Sequence, residues 1–415
     1  MIKTMQKVQT LKGFRDFLPE KMAIRNEVIK RLKQVFERYG FDELQTPSLE
    51  FQELLLGKYG EEAEKLMYLF QDQGKRKVGL RYDLTVPLAR VLAGNQELPK
   101  PFKRYQIQPV WRAENTQKGR YREFYQCDID IVGSSSPISD AEILAVINDS
   151  LKSLGFSKFK IKINSRKILF SSMEKSGILQ NKWLTVAQSI DKLDKKEKDE
   201  VEKELLEKGL QKSNIDKLFN NLENAIPDKY LSEVISFAKK LNVYESLEFT
   251  PTLSRGLDYY TGPIFETVVE EPKIGSITGG GRYDKLLKNL EGIDFPAVGT
   301  TIGLDRVCDV IEELNLWPEI QKTNSKVLVT LFSKELVEKS LEIARILREK
   351  NINTEIFQSV ENLDKQLKYA DKKGIPYAAI IGPDEVEKDI ITLKDLNKKI
   401  QEKLSLDKII SKLSK

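Results

Sequence analysis

Trp111-Arg112-Ala113-Glu114-Asn115-Thr116-Gln117-Lys118-Gly119-Arg120-Tyr121-Arg122-Glu123-Phe124-Tyr125-Gln126-Cys127-Asp128-Ile129-Asp130 is the stretch that decides the fold. Gln106 to Trp111 leads into it, and Phe124 to Val132 leads out, with polar and apolar residues alternating. A period of two predicts half-buried strands, and the polar middle predicts the loop that joins them as an antiparallel pair. Arginines flank the loop on both sides: Arg112 before it, Arg120 and Arg122 after it. A rigid pair of strands can aim such guanidinium forks at one point, where they suit phosphate and carboxylate. Glu114 and Asp130 belong to the same unit. The ordinary reading of a charged hairpin is a solvated surface, but this pattern is more particular than that.

Working outward, Leu80-Arg81-Tyr82-Asp83-Leu84-Thr85 comes before it. Arg255-Gly256-Leu257-Asp258-Tyr259-Tyr260-Thr261-Gly262 and Gly279-Gly280-Gly281-Arg282-Tyr283-Asp284 come after, followed by Val298 to Val307 with Gly303-Leu304-Asp305-Arg306. Lys12-Gly13-Phe14-Arg15-Asp16-Phe17-Leu18-Pro19 opens the series. In this order the segments resemble the signatures of class II aminoacyl-tRNA synthetases, in the form carried by histidyl-tRNA synthetases. The likeness runs from about residue 10 to the C-terminus. It implies an α+β catalytic domain, an antiparallel sheet flanked by helices, over residues 1–324. It further implies a helical insertion at about 165–248 and a C-terminal α/β anticodon-binding domain over 325–415.

Composition bounds the rest. With 415 residues, 32% of them charged, the chain can form two or three soluble domains, each with its own core. A net charge of +5 permits contact with a polyanion without demanding it. Cys127 and Cys308 are the only cysteines, too few for a structural zinc site, and they read as buried free thiols in a reducing compartment. No apolar run approaches membrane-spanning length, and residues 1–10 lack a signal-peptide core. The expectation is a cytoplasmic protein with no membrane contact and no protein-held metal. The sequence contains no histidine, which rules out histidine triads and histidine-ligated metals. Catalysis must come from carboxylates, basic groups, backbone donors and bound substrates.

Between the motifs the pattern is coarser. A helix is predicted after Pro19, closed by Gly40, then a Pro47-bearing edge strand within Phe41 to Phe51. By the resemblance this region builds a homodimer interface. Residues near 140 to 155 and most of 165–248 read as helical. Beyond Ser325, strands and helices alternate: 326–332, 336–350, 352–357, 363–373, 377–381 and 389–393, then a last helix. This predicts a small α/β module with a mixed sheet. From pattern alone, such a module could bind many nucleotides or proteins.

There is no P-loop and no glycine-rich dinucleotide fingerprint, so arginines must hold the phosphates of ATP. The resemblance implies catalytic roles for Arg112, Arg255 and Arg306. Arg112 would contact the α-phosphate and Arg306 the γ-phosphate, with Arg120 assisting. Glu114 would read the adenine amino group and Phe124 would stack on the base; Mg2+ would accompany ATP. Histidine offers a donor and an acceptor on its ring, or two donors when charged. Asp130 and Tyr260 match the family's side-chain-recognition positions. Within Asp83-Leu84-Thr85, Asp83 and Thr85 join Gln126 in matching the residues that hold the α-ammonium. Arg112 and Arg255 would meet the carboxylate side, and Tyr259 would line the pocket, though core or interface packing is a fair alternative for it. Asp305 stands where many class II enzymes have Glu. The loop Glu114-Asn115-Thr116-Gln117 replaces the Glu-Arg-Pro-Gln of many bacterial members. The resemblance implies L-histidine, ATP and tRNA(His) as substrates. The competing readings are an inactive paralogue that regulates histidine biosynthesis, a sensor of uncharged tRNA, and a sister synthetase.

Overall fold

In the computed structural model the alternation around Trp111 becomes a hairpin of two ten-residue strands, Phe102–Trp111 and Glu123–Val132. The structure describes residues 8–56, 64–117, 119–194, 196–254, 260–272, 274–285, 295–318 and 320–414. The hairpin sits within an eight-stranded sheet ordered Asp42–Glu43, Phe102–Trp111, Glu123–Val132, Ala297–Gly303, Thr278–Arg282, Pro263–Val269, Phe159–Ser165, Leu247–Phe249. Every central pairing is antiparallel, and only the two outermost are parallel. Side chains alternate across a strand, so the two faces of the hairpin separate cleanly. Cys127, Ile129 and Ile131 turn into the core. The helix Pro137–Ser153 packs on the sheet, started by Ser136, whose hydroxyl accepts from the Ile138 N–H. Gln126, Asp128 and Asp130 face the other way.

Register then sets rows across that second face. Arg104, Asp130, Gly299 and Gly281 stand opposite one another on successive strands. The next row is Gln106, Asp128, Thr301 and Gly279. Glycines in both rows leave open sheet surface beside the carboxylates. A Cβ on Gly299 would lie 1.9 Å from Asp130 Oδ1, and one on Gly281 would lie 2.9 Å from Tyr260 Cδ1, so close approach requires glycine at both positions.

The Pro47 segment, expected as one edge strand, is two. Asp42–Glu43 joins the large sheet, whereas Leu49–Phe51 joins Lys77–Leu80 and Leu69–Gln71 in a separate three-stranded sheet. Proline supplies no ladder N–H, and the chain changes sheet there. Between Phe159–Ser165 and Leu247–Phe249 run the helices Arg166–Lys175, Trp183–Ile190, Lys198–Glu207, Lys212–Glu223 and Lys229–Lys240. The first four have their own core, which includes Met173, Val186, Val201, Leu205 and Leu218, with Phe170 stacked on Trp183 at 5.2 Å.

The chain divides into two compact units: Met1–Asp16 with Glu27–Leu316, and Phe17–Asn26 with Trp317–Lys415. The second unit holds a five-stranded mixed sheet ordered Thr354–Ile356, Val327–Val329, Tyr377–Ile380, Ile391–Asp395, Ile400–Leu404. Helices Val337–Glu349 and Leu406–Leu413 cover a core of Val327, Val329, Leu347, Leu393 and Ile409. Gly374, at φ +78°, ends the helix Leu363–Lys373 in a left-handed cap. The strand Ile400–Leu404 was not expected. It is a mostly exposed edge strand of Gln, Glu and Lys between its ends, so it lacks the apolar face that marks a strand in sequence.

Candidate functional site

Two adjoining cavities open on the polar face of the large sheet, of about 250 and 320 Å3. Arg112, Gln126, Gly279 and Thr301 line both. The first is otherwise walled by the hairpin loop and by the strand-to-helix turn at Gly303–Arg306, the second by Asp83, Thr85, Asp130, Tyr260 and Tyr283. A single trough therefore has Arg112 at its waist.

Arg112 is held there by its own stem. Its Nε donates to the Tyr82 carbonyl at 3.1 Å, and the guanidinium lies over the rings of Tyr82 and Phe124, 4.3 and 5.2 Å from their centroids. Such contacts fix a cation without neutralising it. Glu114 and Arg120 face each other across the loop as an ion pair of 2.9 Å. Arg306 lies in the first turn of the helix Leu304–Glu313 and donates to the backbone carbonyls of Gly119 and Ser276. Phe124 also lines this cavity. Arg112, Glu114, Arg120, Phe124 and Arg306, expected around ATP, thus line one cavity, with Glu114 engaged by Arg120.

At the other end, the turn 80–85 is pinned to the hairpin by a buried arginine. Arg81 donates from Nε to the Pro109 carbonyl at 2.9 Å and from Nη1 to the Thr46 carbonyl at 2.7 Å. Asp83 Oδ1 then accepts the N–H groups of Thr85 and Val86, each at 3.1 Å, and so starts the helix Thr85–Gly94. Leu84 differs from its neighbours. Its side chain is fully buried, and only its carbonyl points to the polar cluster, accepting from Arg104. Gln126 donates to Asp128 and Thr301, while its buried Oε1 has no hydrogen-bond partner among the described residues. Asp130 has a contact on each oxygen, an ion pair on Oδ2 that lacks hydrogen-bond geometry and a hydrogen bond on Oδ1. Arg104 pairs with Oδ2 at 2.7 Å, and the Tyr283 hydroxyl donates to Oδ1. Arg255 and Tyr259 lie outside the described residues.

The electrostatics follow from this crowding. Burial pushes the Asp128 carboxyl up to about 7, against the pull of Arg104 and with the push of Asp130. Asp130 moves in the same direction, again chiefly through burial. Burial and the Asp130 charge raise the Tyr283 hydroxyl well above its ordinary range, so it stays a donor. Among the described residues no cluster of acidic or thiol side chains has the makings of a metal site.

Comparison with known proteins places this geometry. The model of the histidyl-tRNA synthetase family matches residues 13–307. The chain belongs to the histidyl-tRNA synthetase family. The model of an anticodon binding domain matches residues 326–415. A histidine–tRNA ligase of Gloeobacter violaceus is 40% identical, with 97% of each chain covered. One of Aeropyrum pernix is 43% identical, with 92% of each covered. The crystal structure of a histidyl-tRNA synthetase from a Nostoc species superposes with a TM-score of 0.86 at 28% identity, covering 99% of each chain. Members of the histidyl-tRNA synthetase family are aminoacyl-tRNA ligases, and this fold is theirs.

Several residues around the histidyl-tRNA synthetase site escaped sequence reading. Asp128 and Thr301 line the inner cavity, and Arg104 and Tyr283 hold Asp130. The Asp-Ile-Asp alternation at 128–130 did carry a signal, because it puts both carboxylates on one face. Asp305 turns out to be a strut. It pairs with Arg15 at 2.6 Å and accepts the Tyr125 N–H at 3.0 Å, while Arg15 stacks over Tyr121. Arg15, in the opening segment, is thereby tied to the hairpin loop.

Proposed function

We propose that this enzyme activates L-histidine with ATP and transfers it to tRNA(His). In the first step a histidine carboxylate oxygen bonds to the α-phosphorus, and the bond from that phosphorus to the pyrophosphate oxygen breaks. Histidyl-adenylate forms and pyrophosphate leaves. In the second step a hydroxyl of the terminal ribose attacks the acyl carbon, and AMP leaves with the bonding electrons. Neither step needs a protein imidazole, because positioning and charge stabilisation carry such chemistry. The observation that supports this most is the pair of cavities meeting at Arg112, with carboxylates at one end and Phe124, Glu114 and Arg306 at the other.

In this reading Arg112 faces the α-phosphate and Arg306 the γ-phosphate of ATP, which enters with its Mg2+. Phe124 stacks on adenine, and Glu114 accepts its amino group once Arg120 turns to the phosphates. Asp83, Thr85 and the Oε1 of Gln126 receive the α-ammonium, and Asp130 and Tyr260 receive the ring. Arg255 contacts the carboxylate and α-phosphate, and Tyr259 closes the pocket, as the resemblance implies. The second unit reads the anticodon. Exposed Phe51 and Phe70 on the three-stranded sheet support a homodimer formed through that face. Buried thiols without disulfides support a cytoplasmic setting.

The test is ATP–pyrophosphate exchange with each amino acid in turn. Histidine alone should support it. Exchange driven by a different amino acid, or none with histidine, would sink the reading.

A further inference from the structure

Arg104 is a buried cation to which the proposed chemistry gives no task. It sits on the strand Phe102–Trp111 with its side chain fully out of solvent, and it does not line either cavity. Burying a guanidinium is costly unless the surroundings repay it. Here the repayment comes from the histidine end of the trough. Arg104 pairs with Asp130 at 2.7 Å and approaches Asp128 at 3.9 Å. It also donates to the Leu84 carbonyl at 3.4 Å and to Gln106 at 3.3 Å.

One guanidinium therefore touches two separate pieces of the pocket: the turn 83–85, expected at the α-ammonium, and the strand carrying Asp130, expected at the ring. Asp83, Asp128 and Asp130 bring three carboxyl groups to this end, and among the described residues Arg104 is the cation paired with Asp130. Without it, a buried carboxyl beside two others would favour its neutral form. Asp130 would also lose one of the two contacts that set its orientation.

We propose that Arg104 is a positioning residue for histidine, locking the Asp130 carboxylate in place and coupling it to the turn 83–85 without touching the substrate. This rests on the reading that Asp130 receives the imidazole. A merely structural ion pair would predict something different: general destabilisation that lowers the use of ATP and histidine alike.

The experiment is a double-mutant cycle read in histidine-dependent ATP–pyrophosphate exchange on the full-length enzyme. Arg104→Met, Arg104→Lys, Asp130→Asn and the Arg104→Met/Asp130→Asn pair are compared with wild type. Arg104→Met should raise KM for histidine at least about tenfold and leave KM for ATP within about twofold. Arg104→Lys should recover part of the loss. In the Asp130→Asn background, adding Arg104→Met should change KM for histidine by less than about twofold, because the residue acts through Asp130. Should Arg104→Met fail to fold by circular dichroism, Arg104→Lys takes its place in the cycle. Tyr283→Phe, which removes the hydroxyl that donates to Asp130, should then be non-additive with Asp130→Asn in the same way. Equal effects in both backgrounds, or parallel rises in KM for both substrates, overturn the assignment of Arg104. A wild-type enzyme without histidine-dependent exchange would overturn the functional reading itself, and the inference with it.

Discussion

Asp130 illustrates what single residues contribute and what each change risks. Asp130→Asn keeps the shape of the side chain but removes the charge proposed to face the substrate ring. A charged hydrogen bond of about 1.5–3 kcal/mol is lost, so histidine use should fall at least about tenfold while KM for ATP holds. It also strands Arg104, so the apoprotein should melt earlier than wild type. Unchanged kinetics for histidine would remove Asp130 from the pocket. Asp128 gives a second, pH-dependent test. Its folded pKa of about 7 lies above the ordinary carboxylate value of 3.8, chiefly through burial. The native state therefore holds a proton that the unfolded chain has released, and stability declines as pH rises through that window. Asn cannot ionise, so Asp128→Asn should gain Tm relative to wild type between pH 5 and pH 8. With no histidine in the sequence, no imidazole adds a competing slope. A Tm difference that stays flat with pH would show that the Asp128–Asp130 pair does not hold this proton. At this scale Asp83, Gln126 and Asp130 were legible because they sit in motifs. Arg104 lies in no quoted motif and Tyr283 lies in one, but the contact of each with Asp130 was not legible, because strand order sets both, and residues 104 and 130 become neighbours only once the hairpin closes.

At the scale of elements, the hairpin could be read from its alternation, and the helix Leu363–Lys373 from its glycine stop. The register between Glu123–Val132 and Ala297–Gly303 could not, although it decides where the glycines fall. Gly299 faces Asp130 and tolerates no side chain, since a Cβ would stand 1.9 Å from Oδ1 and 2.7 Å from the Ile129 carbonyl. Gly303, at the other end of the same strand, has its nearest neighbour at 3.6 Å. Gly299→Ala should cost about 1–3 kcal/mol by overpacking, or displace Asp130 and abolish histidine-dependent exchange. Gly303→Ala should change stability by less than about 1 kcal/mol. Thermal unfolding of the two variants side by side checks this, and equal Tm values would mean the sheet is looser at Asp130 than its spacing indicates. The polar strand Ile400–Leu404 shows the opposite limit: an exposed edge has no periodic apolar face to betray it.

For the whole molecule, alternation of strands and helices beyond Ser325 announced a separate α/β module, and the match of residues 326–415 to an anticodon binding domain agrees with it. What the alternation could not show is that Phe17–Asn26 groups with that module rather than with the unit carrying the trough. This matters for any experiment on the division of labour. Cutting the chain near residue 324 would strip that N-terminal segment of its unit, so lost activity could reflect misfolding as easily as lost recognition. Changing the RNA avoids the difficulty. The intact enzyme is given tRNA(His) transcripts that are wild type or altered only at the anticodon. Phosphate contacts stay the same in both, so only base-specific contacts differ. The altered transcripts should lower kcat/KM for aminoacylation by at least about tenfold, corresponding to a loss of about 1.4 kcal/mol. The same enzyme should carry out histidine-dependent exchange without any tRNA, because the residues lining the trough all lie in the first unit. Equal charging of all transcripts would mean that the second unit grips the RNA without reading the anticodon bases.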